Sequence, residues 1–252
     1  MKRYVALGSS MAAGPGIRPR AAGAPWWSGR SARNYPHLVA ERLSLELVDV
    51  TFSGATTAHV LADHQHGKSP QITALDGSES VVTVTIGGND VGYVRLLMAA
   101  SLPAVAQRLP ALRELLDRDS RLQALGGISA ALHTVGSAVR RRSPQARVIF
   151  VDYLTLLPAP GQPTKPLRPE HADLCRLVAR RLEEATAEAA DATGCELVRA
   201  ADASRDHHGW STEPWTTAAG WPLPWRPAPF HPNAAGMRAV AELVVERIRG
   251  TD

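Results

Sequence analysis

Apolar residues gather in five short runs along the chain: Arg3–Leu7, Leu47–Phe52, Val81–Ile86, Arg147–Val151 and Glu196–Val198. Their shortness and their content of valine, isoleucine, phenylalanine and tyrosine predict buried strands. Between them the apolar positions change to a helical period. Asn34–Leu43 puts Tyr35, Leu38, Val39 and Leu43 on one face. One later segment has Val105, Leu109, Leu112 and Leu116 in register, and the next has Ile128, Leu132, Val135 and Val139. His171–Thr193 groups Leu174, Val178, Leu182 and Ala185. Each pattern predicts an amphipathic helix facing a core. Thr57–Asp63 reads as a short helical turn and His64–Ser69 as a polar loop. A last helix is expected to open at Pro232, because proline suits the first helical turn. It would bury Met237, Val240, Ala241, Val244, Val245 and Ile248.

Strands alternating with helices predict an α/β fold, an open five-stranded parallel sheet with helices on both faces. No repeat, linker or low-complexity tract divides the chain, so residues 1–252 read as a single domain, long enough for a sizeable core. Two segments lack regular pattern. Ile17–Ser31 is rich in glycine, proline and arginine and carries Trp26 and Trp27. Asp202 to Phe230 carries Trp210, Trp215, Trp221 and Trp225. Irregular loops of that length are usually functional or disordered, and four tryptophans argue against disorder. Trp26, Trp27, Trp210 and Trp215 are candidates to face a substrate, with loop packing as the plainer role.

In open parallel sheets ligands bind outside the carboxyl ends of the strands. Ser10 follows the first strand, Gly54 the second and Asn89 the third. His231, at the start of the last helix, is expected at the same edge. The run Val5-Ala6-Leu7-Gly8-Ser9-Ser10-Met11-Ala12-Ala13-Gly14 reads as a strand that turns abruptly into a helix, exposing a hydroxyl among backbone N–H groups. Alone, it fits a Gly/Ser loop or a weak phosphate-binding turn equally well. With His231 as a base, Ser10 becomes a candidate nucleophile. The Ser10 N–H, the Gly54 N–H and the Asn89 side-chain amide are candidate donors to an oxyanion. Glycine leaves its N–H open to approach, and asparagine donates without charge.

These residues make the chain resemble the SGNH (GDSL-type) hydrolases. Gly8-Ser9-Ser10 resembles the first block, Gly54 the second-block glycine, Gly87-Gly88-Asn89-Asp90 the third block and His231-Pro232-Asn233 the last. Arg33-Asn34-Tyr35-Pro36 and Ser211–Trp215 are similar to the actinobacterial esterase branch. The resemblance spans essentially the whole chain. It implies a three-layer α/β/α flavodoxin-like fold and ester hydrolysis through an acyl-enzyme on Ser10, with His231 as general base and no cofactor. Small-molecule or lipid-like esters are the implied substrates. Acyl transfer or thioester hydrolysis on the same fold is an alternative, as is a non-catalytic ligand-binding module on a decayed scaffold. Two departures stand out. The Asp of the first block is Ser9, and the acid expected three residues before the histidine is Ala228. The resembled branch implies a main-chain carbonyl in that role, expected here from Ala228, with Asp202 or Asp206 as a substitute acid.

Composition adds mostly exclusions. The net charge is +4 and the isoelectric point about 9.4. Only Arg140-Arg141-Arg142 forms a basic run, without interleaved aromatics, so nucleic acid is not expected as a partner. No apolar stretch approaches the ~20 residues of a membrane span. The first strand starts so early that no leader fits before it. Cytoplasmic residence is therefore the expectation, or secretion if a leader has been removed. Cys175 and Cys195 read as small buried hydrophobes, with a single bridge as the alternative. Asp63-His64-Gln65-His66 and Asp206-His207-His208 lack metal-ligand spacing and read as solvated loops, so no metal is expected.

Overall fold

The computed structural model describes residues 2–221, 223 and 226–250, so Trp225 lies outside the described residues. The sheet is built from β1 (Arg3–Gly8), β2 (Glu46–Asp49), β3 (Glu79–Thr85), β4 (Arg147–Val151) and β5 (Glu196–Val198). The strands are all parallel and lie in the order β2-β1-β3-β4-β5. This is the flavodoxin-like order, and its crevice lies between the carboxyl ends of β1 and β3, where the winding direction reverses.

The pleat divides the core into two layers. Val5 and Leu7 of β1 join Val82, Val84, Val148 and Phe150 in one cluster. Tyr4 and Ala6 join Val81, Ile149 and Val151 in the other. Successive side chains of a strand point to opposite faces, so strands buried on both sides must be apolar throughout. β3 breaks that rule with Thr83 and Thr85. Both hydroxyls are hydrogen-bonded, to the Tyr4 and Tyr35 phenols at 2.8 Å each, which removes the cost of burying them.

The helices are α1 (Ser10–Ala13), α2 (Tyr35–Leu43), α3 (Thr57–Leu61), α4 (Tyr93–Ser101), α5 (Pro110–Leu116), α6 (Arg118–Gly126), α7 (Ile128–Arg142), α8 (Pro169–Ala192), α9 (Ala200–Ala203) and α10 (Ala234–Arg249). α2 and α10 pack together over one face of the sheet, and α4, α7 and α8 cover the other. Among the described residues no helix is long and apolar enough to cross a membrane. Both cysteines are free thiols. Burial pushes Cys175 up to about 12, so it is an inert packing residue.

Several elements differ from the sequence pattern, α4 and α9 among them as helices that were not expected. The segment from Val105 is not one helix. A 3₁₀ turn over Ala106–Arg108 ends before Pro110, which opens α5 because its missing N–H cannot continue a helix. Val105 and Leu109 are left exposed. α6 follows where no helix was expected, capped by the Asp117 side chain on the Ser120 N–H. β2 stops at Asp49, whose carboxylate captures the Thr51 N–H and hydroxyl at 2.9 and 2.6 Å. α10 begins at Ala234 rather than Pro232, because Asn233 is its cap and accepts from the Ala235 and Gly236 N–H groups.

Candidate active site

β1 ends at Gly8, Ser9 is extended, and Ser10 is the first residue of α1. A first-turn N–H has no intrahelical partner, so the Ser10 amide is unpaired beside its own hydroxyl. His231 approaches from the last crossover. Its Nε2 lies 2.8 Å from the Ser10 Oγ, and its Nδ1 lies 2.7 Å from the Pro229 carbonyl oxygen. Both side chains are buried, at 7% and 8% exposure. A carbonyl only accepts, so Nδ1 carries the proton and Nε2 is left with the lone pair that faces the hydroxyl. Burial pushes the imidazole below its ordinary pKa, and the bond to Pro229 only partly offsets this.

The carbonyl is therefore that of Pro229, not Ala228 as expected. Phe230 is the reason. Its φ of 57° is in the left-handed region, which folds the carbonyl of residue 229 back onto the ring of residue 231. Full burial of the Phe230 ring holds this strained backbone in place. The Ala228 carbonyl is taken instead by the Thr217 hydroxyl, at 2.6 Å. The same hydroxyl accepts the His231 N–H at 3.2 Å, so Thr217 clamps the loop from both ends. Asp202 pairs with Arg205 at 2.9 Å, and neither Asp202 nor Asp206 contacts His231.

Two more turns close on Ser10. The Phe52 N–H donates to the Gly8 carbonyl at 2.9 Å, which brings Gly54 alongside the end of β1. Gly54 has φ 80°, and its N–H has no acceptor among the described residues. After β3, the Asn89 Nδ2 donates to the Ala55 carbonyl at 2.8 Å. That bond fixes the amide and leaves its second N–H free. Asp90 accepts the Thr57 N–H and hydroxyl, fastening the same two turns together, and burial raises its pKa.

Ser9, where the resembled first block would have Asp, is wholly buried and bonds the Tyr153 hydroxyl at 3.0 Å. That phenol also accepts the Gly88 N–H at 3.0 Å. A Cβ on Gly88 would overlap the Tyr153 ring, so a glycine is required there. Gln71 acts as a substitute strand, accepting the Gly8 N–H at 2.7 Å and donating to the Gly8 carbonyl at 3.0 Å. Tyr153, Gln71 and Thr217 carried no signal in the sequence, because each is distant in the chain from the groups it holds, and most of those are backbone groups.

The tryptophans part company. Trp26 and Trp27 lie exposed on a turn opened by Pro25. Trp210 tilts against Phe230 and donates to the Lys165 carbonyl at 3.0 Å. Trp215 stacks on His207 at 4.1 Å, and its carbonyl accepts the Asn233 N–H, so it supports the start of α10. Neither histidine loop gathers three metal-ligating side chains, and no such group occurs among the described residues.

Residues 6–239 match the profile of the GDSL-like lipase/acylhydrolase family. The chain is 33% identical to Lipase 2 of Streptomyces coelicolor, over 95% of its own length and 83% of that protein. It is 26% identical to a lipase of Streptomyces rimosus, over 92% and 81%. Among solved structures, phospholipase A1 from Streptomyces albidoflavus superposes with a TM-score of 0.79 at 24% identity, over 98% of this chain and 99% of the other. The extracellular lipase from Streptomyces rimosus also gives 0.79, at 25% identity and the same coverage.

Proposed function

Because this chain belongs to the GDSL-like lipase/acylhydrolase family and is an SGNH-type carboxylic ester hydrolase, we propose that Ser10 is its nucleophile, working as a dyad with His231. The observation that carries this reading is the pair of bonds on one imidazole: Nε2 to Ser10 Oγ at 2.8 Å and Nδ1 to the Pro229 carbonyl at 2.7 Å. In the first step Ser10 Oγ attacks the acyl carbon and Nε2 takes its proton. The carbonyl oxygen becomes an oxyanion, met by the Ser10 N–H, the Gly54 N–H and the free Asn89 amide proton. As the tetrahedral intermediate collapses, the ester C–O bond breaks and His231 gives its proton to the leaving alcohol. Water, deprotonated by the same nitrogen, then attacks the acyl-enzyme and releases the acid. The Pro229 carbonyl fixes the tautomer throughout but supplies less negative charge than a carboxylate would.

Lipid-like esters are the favoured class, supported by the Streptomyces relatives named as lipases and by the exposed Trp26 and Trp27. A panel of 4-nitrophenyl esters of increasing acyl length tests the reading. The protein should hydrolyse them without added metal, and Ser10→Ala and His231→Ala should each lose several orders of magnitude in kcat. Turnover that survives Ser10→Ala overturns the assignment.

A further inference from the structure

A cavity of about 370 Å³ is lined by the loops that lead to and from the candidate site. Three segments form its wall, and each continues a segment already assigned to the site. Pro15–Arg18 follows α1, which begins with Ser10. Gly29, beside Arg30 in the lining, packs on Ser53, the residue before Gly54, so closely that a Cβ on Gly29 would overlap the Ser53 hydroxyl. Arg226 and Ala228 precede His231. They are joined to the first segment by the Ala228 N–H, which donates to the Pro15 carbonyl at 3.0 Å. The cavity is therefore walled by the continuations of the segments that carry Ser10 and His231 and by a loop packed on the residue before Gly54, although none of these three residues lines it.

Its charge is one-sided. Arg18, Arg20, Arg30 and Arg226 line it, and no aspartate or glutamate does. Arg30 is partly committed: its guanidinium donates to the Thr51 carbonyl at 3.0 and 3.2 Å and lies 3.5 Å from Asp49. Arg18, Arg20 and Arg226 have no carboxylate partner among the described residues. The Arg20 guanidinium lies 5.2 Å from the ring centre of Trp26, which holds it at the mouth. Like charges brought together at one opening repel each other, and an anion between them relieves that repulsion. Guanidinium groups also match the oxygens of a phosphate in pairs.

We propose that this cavity is an anion subsite, which receives a phosphate carried on the alcohol half of the ester. A fatty acyl chain bears no charge, so the acyl half has nothing for the arginines to bind. The inference rests on the ester-hydrolase reading of the neighbouring site and deepens it: the preferred substrates are phosphate-bearing esters.

The test uses two esters with the same acyl chains, dissolved as monomers: 1,2-dihexanoylglycerol and its 3-phosphate. 4-Nitrophenyl butyrate reports the hydrolase itself. The wild-type protein should favour the phosphate-bearing ester by about tenfold or more in kcat/KM, as expected of two partly exposed charge-assisted contacts. In Arg18→Ala/Arg20→Ala the ratio should fall to within about twofold, and Arg18→Lys/Arg20→Lys should keep part of it. Because a ratio is read, a general loss of folded protein cancels. Inorganic phosphate should compete with the phosphate-bearing ester in the wild type and lose that effect in the alanine variant. A wild-type ratio near one overturns the proposal. So does a preference seen only on vesicles of anionic lipid, which would make the arginines a membrane contact. Competition by inorganic phosphate without any ester preference would make the cavity a free-phosphate site, and the substrate assignment would fall. If 4-nitrophenyl butyrate is not hydrolysed, the hydrolase reading itself fails, and this inference with it.

Discussion

Replacing Asn89 with alanine separates catalysis from support. The Asn89 amide has two protons, one held by the Ala55 carbonyl at 2.8 Å and the other, without an acceptor among the described residues, assigned by the proposed mechanism to the oxyanion. Alanine removes both. Loss of one oxyanion donor lowers kcat by about 10²–10³-fold, or roughly 2.7–4 kcal/mol of transition-state stabilisation. Ala55 is fully buried, so its carbonyl loses a partner at a cost of about 1–3 kcal/mol of folding stability. In a domain of this size that lowers Tm by a few degrees to about ten. The assay is kcat and KM for 4-nitrophenyl butyrate at 25 °C, with a thermal melt on the same samples. KM should change little, because the donor acts mainly on the transition state. Asn89→Asp, similar in size but with a negative carboxylate facing the oxyanion, should lose at least as much. Unchanged kcat with a raised KM would refute the reasoning and make Asn89 a ground-state binding group. A fall in kcat that merely tracks the folded fraction would reduce it to a structural link.

Three further outcomes follow from the same geometry. Asp202→Asn and Asp206→Asn should each cost less than about tenfold in kcat, since neither touches His231, whereas losing a true triad acid costs about 10⁴-fold. A thousandfold loss in a variant that keeps its circular dichroism spectrum would install that aspartate as the third member. The His231 imidazole must be neutral to act as a base, and burial lowers its pKa. kcat/KM should therefore rise with pH along a limb centred below the ordinary 6.5, and a midpoint above 6.5 would contradict the buried dyad. Burial pushes Asp152 up to about 7, and one of its oxygens has no hydrogen-bond partner. The folded state then holds more protons than the unfolded one between the ordinary 3.8 and about 7, so stability falls as pH rises through that window. Asp152→Asn should flatten the fall by up to a few kcal/mol, and equal slopes in denaturant titrations of both proteins would disprove the assignment.

The sheet was legible because its central strands are buried on both faces: Val5 and Leu7 enter one cluster and Tyr4 and Ala6 the other, which leaves no alternative to an apolar run. Glycines and polar residues at the strand ends pointed to the right edge of the sheet for the same reason. Local competition hid the boundaries. Pro110 ended a pattern whose apolar period ran straight through it, and Asn233, by capping the last helix, moved its start past Pro232. The histidine loop was misread by one residue. A bulky phenylalanine with positive φ is rare enough that no sequence rule places it, yet Phe230 decides which carbonyl meets the imidazole. Gln71 and Thr217 stayed invisible because they pair with backbone atoms, which leave no residue type to search for, and Tyr153 because its partners, the Gly88 N–H and the Ser9 hydroxyl, lie far from it in the chain.

The central claim is that Ser10, and not the neighbouring Ser9, is the nucleophile activated by His231. Treating the protein with a serine-directed fluorophosphonate and mapping the adduct by peptide mass spectrometry tests it most directly. The account predicts a single adduct on Ser10, strongly slowed in His231→Ala, with ester hydrolysis lost in step with labelling. An adduct on Ser9, or full labelling with hydrolysis intact, would contradict it.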